Sequence, residues 1–409
     1  MKISIPGATL SAHLRPLRAA VRESEGINYD KTAIAIYDID QKHHLLAFTP
    51  QPSYHVFMDL NLSGDESTGE NTENQAPADI VAKAIDAHAV ACRDNEHWQV
   101  KNSALLSRNR SVGAEQAEYV ITGNMLDISM NEDSRLHLAA THYEGAIEPP
   151  SYDEMLDPMC GNPVTAHGCF GKNVLADALA VPNAICQLSG KSGRAKEHAV
   201  HLQMYGSHLR VEAMSNTAEV VYDNDKALTM TLCEREESAL HLSISLEAAQ
   251  VLAEISQRSG LETFWVYSRE EKVLTVWCLP YVLIINTEEM NDGNCTDILC
   301  GDYGVSLKRK ALEGVLRRAK AAGSSAIKFN CLTTGCVEVS AADNTVEERF
   351  VGAVSGAFVS PEVVRLPVST LLAVARNTRC MDIELTFSED KSAVVFDSRE
   401  GEMVKVSCL

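Results

Sequence analysis

The sequence predicts an α+β protein of three domains, each with two helices packed on antiparallel sheets. Three observations carry that prediction. A unit of strand, helix and alternating strands recurs six times along the chain, Pro- and Gly-rich stretches separate the units in pairs, and the length of 409 residues is too great for one hydrophobic core.

The repeats can be followed in order. The first is expected to run from a strand at 2–5 through a helix at 9–22 to strands at 32–37 and 45–48. The second has a strand at 98–100, a helix at 103–108 and strands at 118–122, 126–130 and 135–139, with Gly123-Asn124 as a turn. In the third, a helix at 173–188 precedes strands at 199–204 and 209–214 around the turn Tyr205-Gly206-Ser207. The fourth begins with alternating residues at 241–244, then a helix at 246–257 whose Leu246, Ala249, Leu252, Ala253 and Ile255 share one face. Strands at 263–267 and 273–278 follow. The fifth places a helix at 310–322 after a strand at 305–307, with strands at 326–329 and 336–340. The sixth has a helix at 369–376 after a strand at 363–366, then strands at 382–387, 393–396 and 403–406.

Helix starts near 9, 103, 173, 246, 310 and 369 are evenly spaced except for the first interval. An insertion at 62–80 accounts for it: five acidic residues, no basic ones and no apolar periodicity. That composition offers too little apolar area to offset ordering entropy and predicts a disordered loop. Paired repeats give domains at 1–158, 159–301 and 302–409, with boundaries in the turn-forming stretches Glu148-Pro149-Pro150 to Asn162-Pro163 and Gly301-Asp302-Tyr303-Gly304.

Composition excludes several classes. Hydrophobic residues at 45% and charged residues at 22% are those of a globular chain. No run approaches the roughly 20 apolar residues of a membrane span, and MKISIPGATL lacks a signal-peptide pattern, so a cytoplasmic protein without a membrane role is expected. The cysteines are mostly scattered singly beside apolar residues, as buried free thiols are. Cys295/Cys300 and Cys331/Cys336 lack the tight spacing of zinc knuckles, so no metal is expected. No catalytic motif emerges either. His43-His44 falls at an expected turn, Gly168-Cys169-Phe170-Gly171-Lys172 lacks the spacer of a phosphate loop, Gly190-Lys191-Ser192-Gly193 follows a helix instead of preceding one, and no Gly-x-Ser-x-Gly elbow is present. No cofactor is called for.

The last 170 residues or so carry a resemblance. VSLKRKALEGVLRRAKAAGSSAIKF, CVEVSAADNTVEE, VVRLPVSTLLAVARN and MDIELTFSEDKSAVVFDS stand in the order and spacing of the third domain of the bacterial β sliding clamps, and the chain ends, as they do, on a short apolar tail with Leu409 last. The middle domain is similar in pattern and the first in outline. The resemblance implies a DNA clamp fold that closes as a homodimer into a pseudo-sixfold ring around double-stranded DNA. It also implies a processivity role, in which DNA polymerase, a clamp loader and other proteins bind through short peptides. The chain departs from the family at Ser215-Asn216-Thr217-Ala218-Glu219-Val220 and Met290-Asn291-Asp292-Gly293-Asn294, both of which line the family's peptide cleft, and at Ala321-Ala322, where the family has bulky aliphatics at the subunit interface. These departures imply an altered peptide preference and a dimer held differently or weakly.

Charge placement agrees with a ring whose helices face inward. The net charge is −20, and uniform negative charge repels phosphate. The helices run the other way. Arg15, Arg18 and Arg22 belong to the first, Arg108 and Arg110 to the second, and Lys172 leads into the third. Lys308, Lys310, Arg317, Arg318 and Lys320 belong to the fifth and Arg376 to the sixth, whereas the fourth sets Glu247 and Glu254 against Arg258. Such a lining would attract phosphates without reading bases. A basic run on an exposed helix face also serves solvation alone. By position in the family, the peptide cleft would be walled by Leu202, Val220, Ala393, Val404, Val406 and Leu409, and Val220, Val404 and Val406 equally fit core strand positions. The competing readings are a clamp-like adaptor or decoy that binds clamp-interacting peptides without encircling DNA, and, less well supported, an enzyme.

Overall fold

The computed structural model describes residues 2–18, 31–39, 42–50, 53–59, 96–130, 134–143, 164–189, 199–233, 239–259, 262–289, 298, 304–331, 336–341, 347–351, 353–355, 362–387, 393–398 and 401–409. The insertion at 62–80, Arg22, Met290–Asn294 and Gly190–Gly193 lie outside the described residues, as does the side chain of Arg18. The chain packs as two compact units: Met1–Leu175, Thr229–Glu237 and Gln250–Thr287 form one, and Ala176–Leu228, Ser238–Ala249 and Glu288–Leu409 the other.

Elements are numbered in chain order. The first unit holds β1 (Lys2–Pro6), β2 (Lys31–Ile39), β3 (Lys42–Pro50), β4 (Tyr54–Asp59), β5 (Trp98–Lys101), β6 (Gln116–Thr122), β7 (Met125–Ser129), β8 (Arg135–His142), β9 (Ala166–Phe170), β13 (Leu228–Leu232), β15 (Thr263–Ser268), β16 (Val273–Cys278) and β17 (Tyr281–Asn286). They form one sheet in the order β1-β6-β7-β8-β5-β2-β3-β4-β17-β16-β15-β9-β13. Its continuity rests on β4 and β17, paired antiparallel with Val56 opposite Leu283, which joins strands more than two hundred positions apart. Phe48, Phe57, Phe264, Trp277 and Val282 bury together on one face across that seam, with Phe48 and Phe57 stacked at 4.5 Å. Helices α1 (Gly7–Arg18) and α2 (Asn102–Val112) pack against each other.

The second unit contains β10 (Ala199–Tyr205), β11 (His208–Met214), β12 (Ala218–Asn224), β14 (Leu240–Ser245), β18 (Glu288–Glu289), β19 (Gly304–Lys308), β20 (Ala326–Cys331), β21 (Cys336–Ala341), β22 (Glu347–Val351), β23 (Ala353–Ser355), β24 (Glu362–Pro367), β25 (Asp382–Phe387), β26 (Ala393–Asp397) and β27 (Glu402–Ser407). Ten of these form a sheet ordered β18-β14-β10-β11-β12-β27-β26-β25-β19-β23, and four form β22-β21-β20-β24. Here the joining pair is β12 and β27, with Val220 opposite Val404. Helices α5 (Arg309–Ala321) and α6 (Val368–Asn377) pack side by side. The division between units passes through α3 (Val174–Cys186) and α4 (Leu246–Ser259).

The architecture is α+β, with a helix in each of the six repeats among the described residues. Some expectations need correction. His43 and His44 stand in β3, opposite Asp38 and Tyr37, and not at a turn. Strands β4, β9, β12, β13, β17, β18, β22 and β23 were not expected at all. Gly168 is an interior residue of β9 facing Trp265 in the ladder, and a Cβ there would stand 1.9 Å from the Thr229 carbonyl oxygen. Glycine is required by that close backbone approach, not by a phosphate.

Candidate nucleic-acid interface and peptide cleft

The clearest basic surface is built on α5. Leu312, Val315, Leu316 and Ala319 are buried at helical spacing, which turns Lys310, Arg317, Arg318 and Lys320 outward, all exposed. Arg318 and Lys320 fall in the last turn, where cations oppose the negative end of the helix dipole. Lys308, just before the helix, is exposed and donates to Asp382 at 2.8 Å. Arg376, in the last turn of α6, is exposed as well.

Not every cation here is available to a ligand. Arg309 sends Nη1 to the carbonyl oxygens of Ala375 (3.4 Å) and Thr378 (3.2 Å), closing the C-terminal end of α6, and so acts as a helix cap. Arg317 is ion-paired with Glu313, and Arg376 Nε lies 3.6 Å from the same carboxylate. Arg379 is ion-paired with Asp177 of α3.

In the first unit, Arg15 is exposed on α1, and Arg108 and Arg110 are exposed on α2, whose Leu105, Leu106 and Val112 are buried. Asn109 on the buried face of α2 accepts from the Tyr119 hydroxyl at 3.0 Å, fixing the helix against β6. Burial raises the Tyr119 hydroxyl to about 12, so it remains a donor across ordinary pH. Lys172 is exposed in the turn before α3. Helix α1 is held to α4 by Arg258, which donates to the Ala12 carbonyl at 2.9 Å. The buried Tyr281 hydroxyl adds a 3.0 Å bond to the His13 carbonyl. Thus, of the residues expected to meet phosphate, those whose side chains are described (Arg15, Arg108, Arg110, Lys172, Lys308, Lys310, Arg317, Arg318, Lys320 and Arg376) lie at exposed helical or helix-flanking positions.

The positions expected to wall the cleft separate by face. Directly paired strand residues share a face, so Leu202 with Val211, Val211 with Tyr222, and Val220 with Val404 lie together, and Val394 with Val406 joins them. Leu202, Val220, Val404 and Val406 are at most 1% exposed. These four are therefore core side chains and present no surface to a peptide, which corrects their expected place as cleft walls. Ala393 pairs with Ser407 and points to the opposite face, where it is buried too. That opposite face carries an apolar cluster of Val221, Val395 and Ile298 with Met403 partly buried at its margin. Lys405 and Glu219, paired in register on the same face, lie 3.4 Å apart beside it. Leu409 is 64% exposed, and its N–H donates to the Arg365 carbonyl at 2.9 Å, fixing the tail to β24. The alternation of β27 sends Met403 and Lys405 to one side and Val404 and Val406 to the other, which groups Met403 with Val221 and Val395 on a face that the sequence reading did not consider.

Among the described residues no cluster of His, Cys, Asp and Glu could hold a metal ion. Cys278 is a fully buried thiol whose pKa burial raises to about 12, whereas Cys233 is exposed.

The fold defines a class: the chain has the three-domain α+β fold of the bacterial β sliding clamps along its whole length. Solved structures show this individually. The Helicobacter pylori beta clamp bound to a DNA ligase peptide is 12% identical, with a TM-score of 0.66 and complete coverage of both chains. The DNA polymerase III subunit beta of Pseudomonas aeruginosa is also 12% identical, with a TM-score of 0.67 and complete coverage of both. The beta subunit from Thermotoga maritima is again 12% identical, with a TM-score of 0.68, covering 100% of this chain and 99% of its own. No protein-family model matches the sequence, and no curated protein does.

Proposed function

We propose that this chain is a sliding clamp, a non-catalytic processivity factor of which two copies close around duplex DNA. The observation that carries the reading is the placement of charge on the shared fold: a protein of net charge −20 shows exposed cations at the helices, including Lys310, Arg317, Arg318 and Lys320 on one face of α5. In this reading the repeats form domains 1–158, 159–301 and 302–409. The DNA-facing set is Arg15, Arg18, Arg22, Arg108, Arg110, Lys172, Lys308, Lys310, Arg317, Arg318, Lys320 and Arg376. Contacts from long, solvated side chains to phosphate are sequence-blind and exchange readily, as sliding requires.

Polymerase, loader and other partners would present short apolar peptides to the face of the β12–β27–β26 seam that carries the partly exposed Met403 and Lys405. Met403 and Ala393 border that site, Leu409 lies at its edge, and the Lys405–Glu219 pair forms a polar rim. Leu202, Val220, Val404 and Val406 support it from the core side. The protein works in the cytoplasm and uses no cofactor; among the described residues no helix is long and apolar enough to cross a membrane.

Electron microscopy of the purified protein across a concentration series tests the proposal. Closed rings with a central hole are expected. Open or compact particles at every concentration would favour the second reading, a non-encircling adaptor. A specific observation favours that alternative: Ala321 and Ala322 are exposed at the end of α5 and offer little apolar area to a partner subunit.

A further inference from the structure

One carboxylate arrangement occurs twice among the helices. Glu313 on α5 is ion-paired with Arg317, one turn onward, and lies 3.6 Å from Arg376 of α6. Glu254 on α4 is 3.0 Å from Arg258, again one turn onward, and 4.0 Å from Arg15 of α1. Each set joins a glutamate, the i+4 arginine of its own helix, and an arginine from a neighbouring helix. The two sets belong to different compact units and are built from different repeats.

In both, the glutamate is more covered than the cross-helix arginine it faces. The Glu313 and Glu254 side chains are 17% and 27% exposed, against 46% for Arg376 and 74% for Arg15. One carboxylate has lone pairs enough for two guanidinium groups. Exposed ion pairs of this kind add little to folding, which makes them a weak stabilising device. Their effect on a polyanion is larger. Each phosphate neutralised adds about 0.9 to the slope of log affinity against log salt, and a fork of two arginines on one glutamate carries a net charge of +1, not +2.

We propose that Glu254 and Glu313 throttle the grip on nucleic acid, keeping two otherwise basic helix pairs weakly attractive so that a duplex is retained without being held in place. This rests on the reading of these helices as DNA-facing. At the first fork Glu254 restrains Arg15, because Arg258 also serves the Ala12 carbonyl. At the second, Glu313 restrains Arg317 and Arg376.

The test is a fluorescence-anisotropy titration of the full chain with a short labelled duplex across about 20 to 200 mM salt. Glu254→Gln/Glu313→Gln removes both charges while keeping side-chain size. Its salt slope should steepen by about 1–2, with affinity at the lowest salt rising on the order of tenfold. Adding Arg15→Gln and Arg376→Gln should return the slope to the wild-type value, a rescue that lost packing would not give. A double variant with the wild-type slope, alongside an Arg317→Gln variant whose slope falls, overturns the throttle and leaves the DNA-facing reading intact. Absence of salt-dependent binding in the wild type and in every variant overturns both.

Discussion

Replacing Gly401 with alanine tests the seam between β12 and β27 directly. Gly401 has φ of +87°, a conformation that L side chains rarely adopt, and an added Cβ would stand 1.9 Å from the Asp223 carbonyl oxygen. The opposed atom is backbone and cannot rotate away. The Gly401 carbonyl also accepts the Asp223 N–H at 2.7 Å, so a shift that relieves the clash breaks this bond. The left-handed conformation costs about 1–2 kcal/mol and the lost hydrogen bond about 1 kcal/mol, giving roughly 2–3 kcal/mol. At about 1.4 kcal/mol per factor of ten, amide exchange by local opening should accelerate on the order of 30- to 150-fold. The gain should be confined to β12 and β27. Gly113→Ala is the control, since φ there is +64° but nothing lies within 4 Å of an added Cβ. It should suffer the conformational cost alone, about 1–3 kcal/mol, near its own turn. Hydrogen exchange followed by mass spectrometry reads both. If Gly401→Ala disturbs β12 and β27 no more than Gly113→Ala disturbs its turn, the seam is not close-packed at this point and the argument fails.

Glutamate at Arg317 and Arg318 together should shorten retention on nicked circular DNA by at least tenfold, with peptide binding unchanged; equal retention would show that the outer face of α5 does not meet phosphate. Removing Cys408 and Leu409 should weaken binding of a clamp-binding peptide severalfold in a calorimetric titration, because the exposed Leu409 and the bond from its N–H to Arg365 are both lost. Undiminished affinity would place the peptide away from the tail. Acid should destabilise the first unit through the buried His97, whose pKa burial lowers below 6.5, with nearby His142 acting in the same direction. A depressed histidine binds its proton more tightly in the unfolded chain, so stability is fully present above about pH 6.5 and falls as pH drops toward the folded-state pKa. Melting curves between about pH 7.5 and 5 should show this decline, and His97→Asn should flatten part of it; an unchanged pH dependence in that variant would remove His97 as a contributor.

The helices were legible because each strand–helix–strand unit writes its own periodicity, and the observed starts lie within a few residues of those expected. The strands missed in the sequence were largely of another kind. Strands β4, β17 and β12 pair locally with β3, β16 and β11, but each has a second edge, β4 on β17 and β12 on β27, at sequence separations where no turn residue signals the pairing. Their register, not their composition, makes one sheet of thirteen strands and another of ten. Which face each strand residue takes was illegible for the same reason. Val404 and Met403 are adjacent apolar residues, and only knowing which strand lies beside β27 decides that Val404 is core while Met403 borders the cluster on the opposite face. Charge was half legible. The i+4 pairs Glu254–Arg258 and Glu313–Arg317 follow from helical spacing, but Arg15 and Arg376 are brought to them by packing between helices far apart in the chain. Counting basic residues along single helices therefore overstated the positive charge that those helices present, since these carboxylates offset part of it from neighbouring turns.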